Sequence, residues 1–343
     1  MPRVAILGTG LIGTSIGLRL HSHGRTSDLS VVGWDRNPDH AREARERGAI
    51  AETAASVEEA VAGAWLVVLA APVLALRSLL EDVGAEAAAG RIAANAVVTD
   101  TGSTKADVMR WATETLPASV SFVGGHPMAG KTEPGPAAAD GALFEGARWV
   151  LVPSRSAPGG AVETVTSLIN TMGAEAMFMD AEEHDAYVAA VSHLPLAAAV
   201  ALFTLVRESE AWPEMSMLAS SGFLGATRLA QSDTSMAYDI FATNREQVAH
   251  WLERYGDEIA RFRERLLDDE GGEALFRALG EANLDYARLA SGDVGRDAWT
   301  ESPRDIPSMS AFDLLLGGAL SDKMREWRQG QEESRERGSR RRR

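Results

Sequence analysis

Three glycines spaced Gly8-x-Gly10-x-x-Gly13 directly follow the apolar run Val4-Ala5-Ile6-Leu7, and no other feature constrains the fold of this chain as strongly. A buried strand has to turn sharply there and start a helix. Gly8 permits the tight turn, Gly10 lets the backbone approach a pyrophosphate, and Gly13 lets the helix pack closely on its strand. Thr9, Leu11 and Ile12 complete a loop whose helix N-terminus faces the phosphates. A second apolar run, residues 30–34, ends at Asp35, about 20 residues further on, where a carboxylate accepts hydrogen bonds from an adenosine ribose. The charge of Asp35 opposes a 2′-phosphate and so favours NAD over NADP, while the adjacent Arg36 is a residue able to pair with such a phosphate. Strand, glycines, helix and acid together predict a dinucleotide site.

With 343 residues, 45% of them hydrophobic, the chain can build about two cores. A net charge of −15, from 34 basic and 49 acidic residues, argues against general nucleic-acid binding. The absence of cysteine excludes disulfides, thiolate zinc sites and a cysteine nucleophile. No apolar run reads as long enough to span a membrane, and the chain opens on a strand with no signal-peptide pattern. The expectation is a cytoplasmic protein with no membrane partner.

Strand patterns over residues 4–7, 30–34, 65–69, 97–100, 121–124, 148–152 and 176–179 alternate with helical ones, among them 14–23, 39–47, 56–61 and 166–172. This alternation predicts an α/β Rossmann-type, doubly wound domain over residues 1–180. From 181 to 291 the apolar spacing is helical, predicting an all-helical domain for dimerisation and substrate binding. Residues 191–206 are almost wholly apolar, and a helix apolar on all sides is covered either by its own domain or by a second subunit. Residues 292–343 read as an irregular extension, with 329–343 a charged, disordered tail ending in a run of arginines.

Four segments carry chemistry. Thr99-Asp100-Thr101-Gly102-Ser103-Thr104-Lys105 lies at the carboxyl end of a strand, where open α/β sheets bind ligands; it is also readable as a helix N-terminus capped by Thr101 or Ser103. Gly124-Gly125-His126-Pro127-Met128-Ala129-Gly130 places His126 in a loop at the mouth of the dinucleotide site, as a candidate base. Glu183-His184-Asp185 precedes His193 at the start of the apolar helix, but the spacing of His184 and His193 fits no metal-ligand pattern. Arg228 lies in an otherwise uncharged stretch; a buried guanidinium requires an anion, either an internal carboxylate or one on a substrate.

These motifs together resemble the prephenate dehydrogenase family, which includes arogenate and cyclohexadienyl dehydrogenases. The resemblance runs from about Arg3 to Leu289, through Gly8-x-Gly10-Leu11-Ile12-Gly13-x-Ser15, Asp100-x-Gly102-Ser103-x-Lys105, His126-Pro127-Met128-Ala129-Gly130, Glu183-His184-Asp185, Ser192-His193-Leu194-Pro195, Thr227-Arg228-Leu229-Ala230 and Asp239-Ile240-Phe241-x-x-Asn244. It implies a homodimer with an active site between a Rossmann and a helical domain, NAD as cofactor and a small cyclohexadienyl substrate. By the same resemblance, neutral His126 would take the ring-hydroxyl proton as hydride leaves the same carbon and carbon dioxide is lost. The resemblance likewise implies that Ser103 bonds the hydroxyl and helps orient His126, that Arg228 grips a carboxylate and that His193 shapes the pocket.

Three departures bear on the substrate. The resemblance leads one to expect tryptophan where Ala237 stands, Lys131 intervenes before Thr132 and Glu133, and Leu196 replaces a polar residue. The chain is thus expected to oxidise prephenate, arogenate or an analogue such as 4-amino-4-deoxyprephenate. A β-hydroxyacid-type dehydrogenase would use a lysine in the helical domain, and residues 181–290 contain none. A non-catalytic NAD-sensing protein would account for the glycines and Asp35 but not for His126, Ser103 and Arg228 together.

Overall fold

Side chains of β1 (Arg3–Leu7) alternate between two separate cores, Ala5 and Leu7 entering one and Val4 and Ile6 the other. A strand buried on both faces belongs inside a helix-covered parallel sheet. In the computed structural model, which describes residues 1–22, 29–131, 133–267 and 272–292, that sheet has eight strands. The others are β2 (Ser30–Trp34), β3 (Glu52–Thr53), β4 (Ala64–Leu69), β5 (Val97–Asp100), β6 (Ser121–Pro127), β7 (Arg148–Pro153) and β8 (Glu175–Phe178). Their order is β3-β2-β1-β4-β5-β6-β7-β8, all neighbours parallel except β6 and β7. The order reverses direction between β1 and β4, and a crevice outside the carboxyl ends of the strands at that point is where such sheets bind ligands.

Helices α1 (Leu11–Ser22) and α2 (Pro38–Glu46) cover the Val4–Ile6 face, contributing Ile16, Leu20 and Ala44. The opposite face is covered by α3 (Val57–Val61), α4 (Val73–Ala88) and α5 (Ala106–Thr115), through residues such as Val61, Leu76, Leu80, Val108 and Trp111. A further helix, α6 (Gly159–Thr171), returns to the first face with Val165 and Ile169. The doubly wound arrangement expected from the alternation is the one that forms. β3 and α4 lack a counterpart among the expected elements, β3 because two residues carry no periodicity. His126 lies on the end of β6, paired with Val150 of β7, and not in a loop after the strand.

Beyond β8 the described chain is helical: α7 (Ala181–Val188), a π-helical turn over Ala189–His193, α8 (Leu194–Arg207), α9 (Trp212–Leu218), α10 (Ser221–Thr227) and α11 (Thr234–Thr243). The π turn joins α7 and α8 into one helix, Ala181–Arg207, of 27 residues, long and apolar enough by length and composition to cross a membrane. This corrects the expectation that no apolar stretch reaches that length, because Ser192, His193 and Pro195 interrupt the apolar sequence without ending the helix. Among its polar residues, His184, Asp185 and His193 are buried.

Two carboxylates join this segment to the sheet domain. Helix α5 has no side-chain cap of its own, and Asp185 supplies one, accepting from Lys105 N at 2.7 Å and Ala106 N at 2.9 Å. Helix α4, likewise uncapped, receives Asp239, which accepts from Leu74 N at 3.0 Å. The cap expected from Thr101 or Ser103 comes instead from a residue 80 positions away. Each interaction fills orphan N–H groups and sets negative charge against a helix N-terminus.

Contacts within the chain group Met1–Arg254 as one compact unit; a second begins at Tyr255 and holds the rest of α12 (Arg245–Leu267) and α13 (Gly272–Ser291). The expected tail, 329–343, and nearly all of the 292–343 extension lie outside the described residues.

The turn from β1 into α1 is sterically closed. A Cβ on Gly13 would stand 1.9 Å from the Gly8 carbonyl oxygen and 3.0 Å from Ile6 Cγ2. Gly13→Ala is expected to destabilise the protein by about 1–3 kcal/mol, the usual range for overpacking. A lowered midpoint in denaturant unfolding is the readout.

Candidate active site

Several loops and strand ends lie along the carboxyl edge of the sheet. In the first, Gly8 has φ +101°, and a Cβ there would lie 2.5 Å from Ala70 O, so the turn fits beneath the loop after β4 only without a side chain. Around Gly10 nothing stands within 4 Å of an added Cβ, leaving open space in front of the α1 N-terminus. Thr9 is buried, Leu11 and Ile12 are half-buried, and Asp35 closes the end of β2. Asp35 Oδ2 accepts from Thr9 N at 2.7 Å and Thr9 Oγ1 at 3.3 Å, and Oδ1 from Asn37 N at 2.8 Å. The acid is therefore held against the glycine turn. Arg36 beside it is exposed. Open backbone at a helix N-terminus with a fixed carboxylate nearby fits the pyrophosphate and ribose of a dinucleotide.

The loop after β5 and the end of strand β6 are tied together by Asp100 at the end of β5. Its carboxylate accepts from Gly102 N at 2.7 Å, from Gly125 N at 3.0 Å, and from the Lys105 ammonium, an ion pair with both side chains fully buried. Fully desolvated charges are tolerated only when paired and hydrogen-bonded. The pair fixes the loop carrying Ser103 against the strand carrying His126.

His126 is half-buried, and its Nδ1 lies 2.8 Å from His184 Nε2, the rings 5.0 Å apart and nearly perpendicular at 75°. His184 Nδ1 is in turn 2.7 Å from Asp185 Oδ1. Burial, reinforced by the nearby His184, Lys105 and His193, holds the His126 imidazole well below the usual histidine range, so it is neutral and able to accept a proton at neutral pH. His193 is buried as well, and burial pushes it down to about 4, against an opposing pull from Asp185. Asn244 Nδ2 donates to the Asp185 carbonyl at 2.7 Å and lies 3.2 Å from His193 Nδ1.

The remaining sequence-predicted residues sit differently. Ser103 is half-buried and, among the described residues, makes no hydrogen bond to the His126 ring; His184 holds that ring instead. Arg228 opens a short 3₁₀ turn after α10 and is exposed, with no ion pair among the described residues, so its expected burial does not hold within one chain. Ala237 is half-buried on α11. Sequence reasoning assigned no role to Asp100, Lys105, His184, Asp185 or Asn244. The adjacent histidine and aspartate of Glu183-His184-Asp185 are the visible signal for two of them, once both are known to be buried.

Two family models match the chain. One described as the prephenate dehydrogenase nucleotide-binding domain matches residues 16–178, and one described as the prephenate dehydrogenase dimerization domain matches residues 180–281. The prephenate dehydrogenase of Bacillus subtilis (strain 168) is 34% identical over 275 residues, covering 80% of this chain and 72% of that protein. The cyclohexadienyl dehydrogenase of Zymomonas mobilis is 27% identical over 270 residues, covering 78% of this chain and 89% of that one. Among solved structures, the prephenate dehydrogenase from A. aeolicus in complex with hydroxyphenyl propionate and NAD+ is similar with a TM-score of 0.76 and 29% identity, over 84% of this chain and 98% of that chain.

The electrostatics of the site have a consequence for stability. Between its ordinary value near 6.5 and its folded value of about 4, His193 takes up a proton in the unfolded chain but not in the folded one. Stability conferred by the neutral ring is therefore complete above about pH 6.5 and declines as pH falls, by at most about 1.4 kcal/mol per pH unit for this group. The advantage of the native protein over His193→Gln is expected to shrink between pH 6.5 and 4 in denaturant titrations; a constant difference would mean that His193 is not the source.

Proposed function

The chain belongs to the prephenate dehydrogenase family, and we propose that it catalyses the NAD-dependent oxidative decarboxylation of prephenate to 4-hydroxyphenylpyruvate or of arogenate to tyrosine, in aromatic amino-acid biosynthesis in the cytoplasm. The observation that carries this reading is a neutral, half-buried histidine at the carboxyl edge of the sheet, the same edge that carries a glycine turn shaped for a dinucleotide. Residues 1–180 supply the cofactor domain and 181–291 the substrate and dimerisation domain.

Gly8, Thr9, Gly10, Leu11, Ile12 and Gly13 would hold the pyrophosphate at the α1 N-terminus, and Asp35 the ribose, with Arg36 outside the selective contact. Bound NAD supplies the electron sink that accepts a hydride from the ring carbon bearing the hydroxyl. His126 takes the hydroxyl proton as that carbon becomes a carbonyl, and Ser103 holds the hydroxyl oxygen in line. The carboxylate on the opposite ring carbon then leaves as carbon dioxide. Its bonding electron pair enters the ring, and the resulting phenolate oxygen recovers the proton from His126. Arg228 and His193 anchor the substrate, and Ala237 lines the space around its ring. Arg228 is exposed in a single chain, which suits a residue that finds its anion in the substrate.

Homodimer formation rests on the apolar surface that one chain leaves open. Along α8 only Leu196 and Ala199 are buried, whereas Leu205 on it and Val191 on the preceding π turn are 72% and 70% exposed. On α12 the exposed Leu252, Tyr255, Ile259, Phe262 and Leu266 recur at alternating three- and four-residue spacing, the pattern of a helix seam awaiting a partner. Sedimentation at micromolar concentration is expected to give twice the chain mass, and a clean monomer would refute this interface.

The test of the activity is formation of reduced nicotinamide with prephenate, arogenate and 4-amino-4-deoxyprephenate in turn. Turnover of the amino substrate alone would move the assignment to the analogue that Ala237 leaves room for. His126→Asn is expected to lower turnover by roughly two to four orders of magnitude while leaving NAD affinity in place. Near-normal turnover in that variant would remove His126 as the base.

A further inference from the structure

We infer that His184 and Asp185 are positioning residues that fix the tautomer of His126, leaving its Nε2 lone pair free to take the substrate proton. This deepens the assignment of His126 as the base and rests on it. The starting point is Asp185, whose two oxygens already accept the Lys105 and Ala106 backbone N–H groups at 2.7 and 2.9 Å. Both are obligate donors at a helix N-terminus, so the group they meet is an acceptor on both oxygens, which is the carboxylate form.

Facing a carboxylate at 2.7 Å, His184 Nδ1 must be the donor. A neutral imidazole carries one N–H, so His184 Nε2 is then an acceptor. The atom opposite it at 2.8 Å is His126 Nδ1, which therefore carries the proton of that ring. His126 Nε2 is left unprotonated. Each assignment is forced by the one before it, and the near-perpendicular rings present one nitrogen edge to the other. With a proton on both nitrogens, His184 would still donate to Asp185 but would also donate to His126 Nδ1, placing the His126 proton on Nε2, where it blocks the base. The other charged and titratable groups around this relay are the fully paired Lys105 and Asp100 behind β5 and His193 on the π turn, which is bonded to Asn244. None of these hydrogen-bonds to the His126 ring among the described residues.

The direct test is long-range proton–nitrogen NMR of the full-length protein labelled at histidine, with the His126 signals identified by their loss in His126→Asn. His126 is expected to show a protonated Nδ1 and an unprotonated Nε2; a proton on Nε2 would overturn the inference without any variant being needed. His184→Phe keeps the ring volume but cannot accept the bond. It is expected to lower kcat by roughly 10- to 1000-fold with little change in KM, and to leave the His126 tautomer mixed. Asp185→Asn can place an amide against His184 Nδ1 and is expected to move the His126 proton to Nε2, with a kcat loss at least as large. A folded His184→Phe variant with kcat within twofold of the native protein would refute the positioning role. The two readings separate cleanly: if His126→Asn retains turnover, His126 is not the base whatever tautomer the spectrum shows.

Discussion

The carboxylate of Asp185 is the interaction on which the rest of the site depends. It caps α5, whose own N-cap position, Lys105, gives no side-chain acceptor, and it bonds His184 with the same oxygen that meets Lys105 N. A helix cap contributes about 0.5–2 kcal/mol, a modest figure. Its structural effect is larger, because the group that caps the start of α5 also bonds His184, which in turn meets His126. Asp239 does the same for α4 through Leu74 N. The helical segment is thus held to the sheet domain by completing two helices the sheet domain leaves unfinished, and the Thr104–Thr243 hydroxyl contact at 2.8 Å lies beside that join.

Behind this join stands the Asp100–Lys105 pair. Burying two charges is costly unless all their hydrogen-bonding capacity is met, and replacing such a pair by apolar side chains is often neutral or stabilising. Its presence at the carboxyl edge of β5 is better explained by geometry than by stability. Asp100 holds Gly102 and Gly125 at once, which locks the Ser103 loop against the strand that ends in His126. The ammonium of Lys105 also adds positive potential near His126, which favours the neutral ring.

Much of this was legible in the sequence, and the part that was not has a common cause. The glycine turn, the strands that bear it and the acid at Asp35 are local features, set by φ/ψ limits and by apolar runs, and they emerge where the spacing places them. Residues defined by distant partners do not. Nothing near Lys105 announces that its helix is capped from residue 185, and local reasoning assigned that task to Thr101 or Ser103. His126 looks like a loop residue because of the glycines before it and the proline after it, yet β7 pairs with it and extends the strand. Arg228 was expected to be buried from the neutrality of its surroundings, but an uncharged local sequence does not fix burial, and the residue is exposed in the single chain.

The helix from Ala181 to Arg207 shows how a local irregularity can make a site. At about 100° per residue, positions 184 and 193 of an uninterrupted α-helix would fall on opposite faces. The π turn over Ala189–His193 advances less around the axis for each residue, so His193 comes round toward the side that carries His184 and Asp185. There Asn244 bonds both the Asp185 carbonyl and the His193 ring. Pro195, two residues beyond the turn, has no N–H to offer the preceding carbonyls, which lowers the cost of departing from α geometry at this point. The same turn keeps the helix continuous, so one rigid element carries the polar residues of the site at one end and an uncovered apolar face at the other. Pairing of that face with a second chain would therefore act on the same helix whose His184 meets His126.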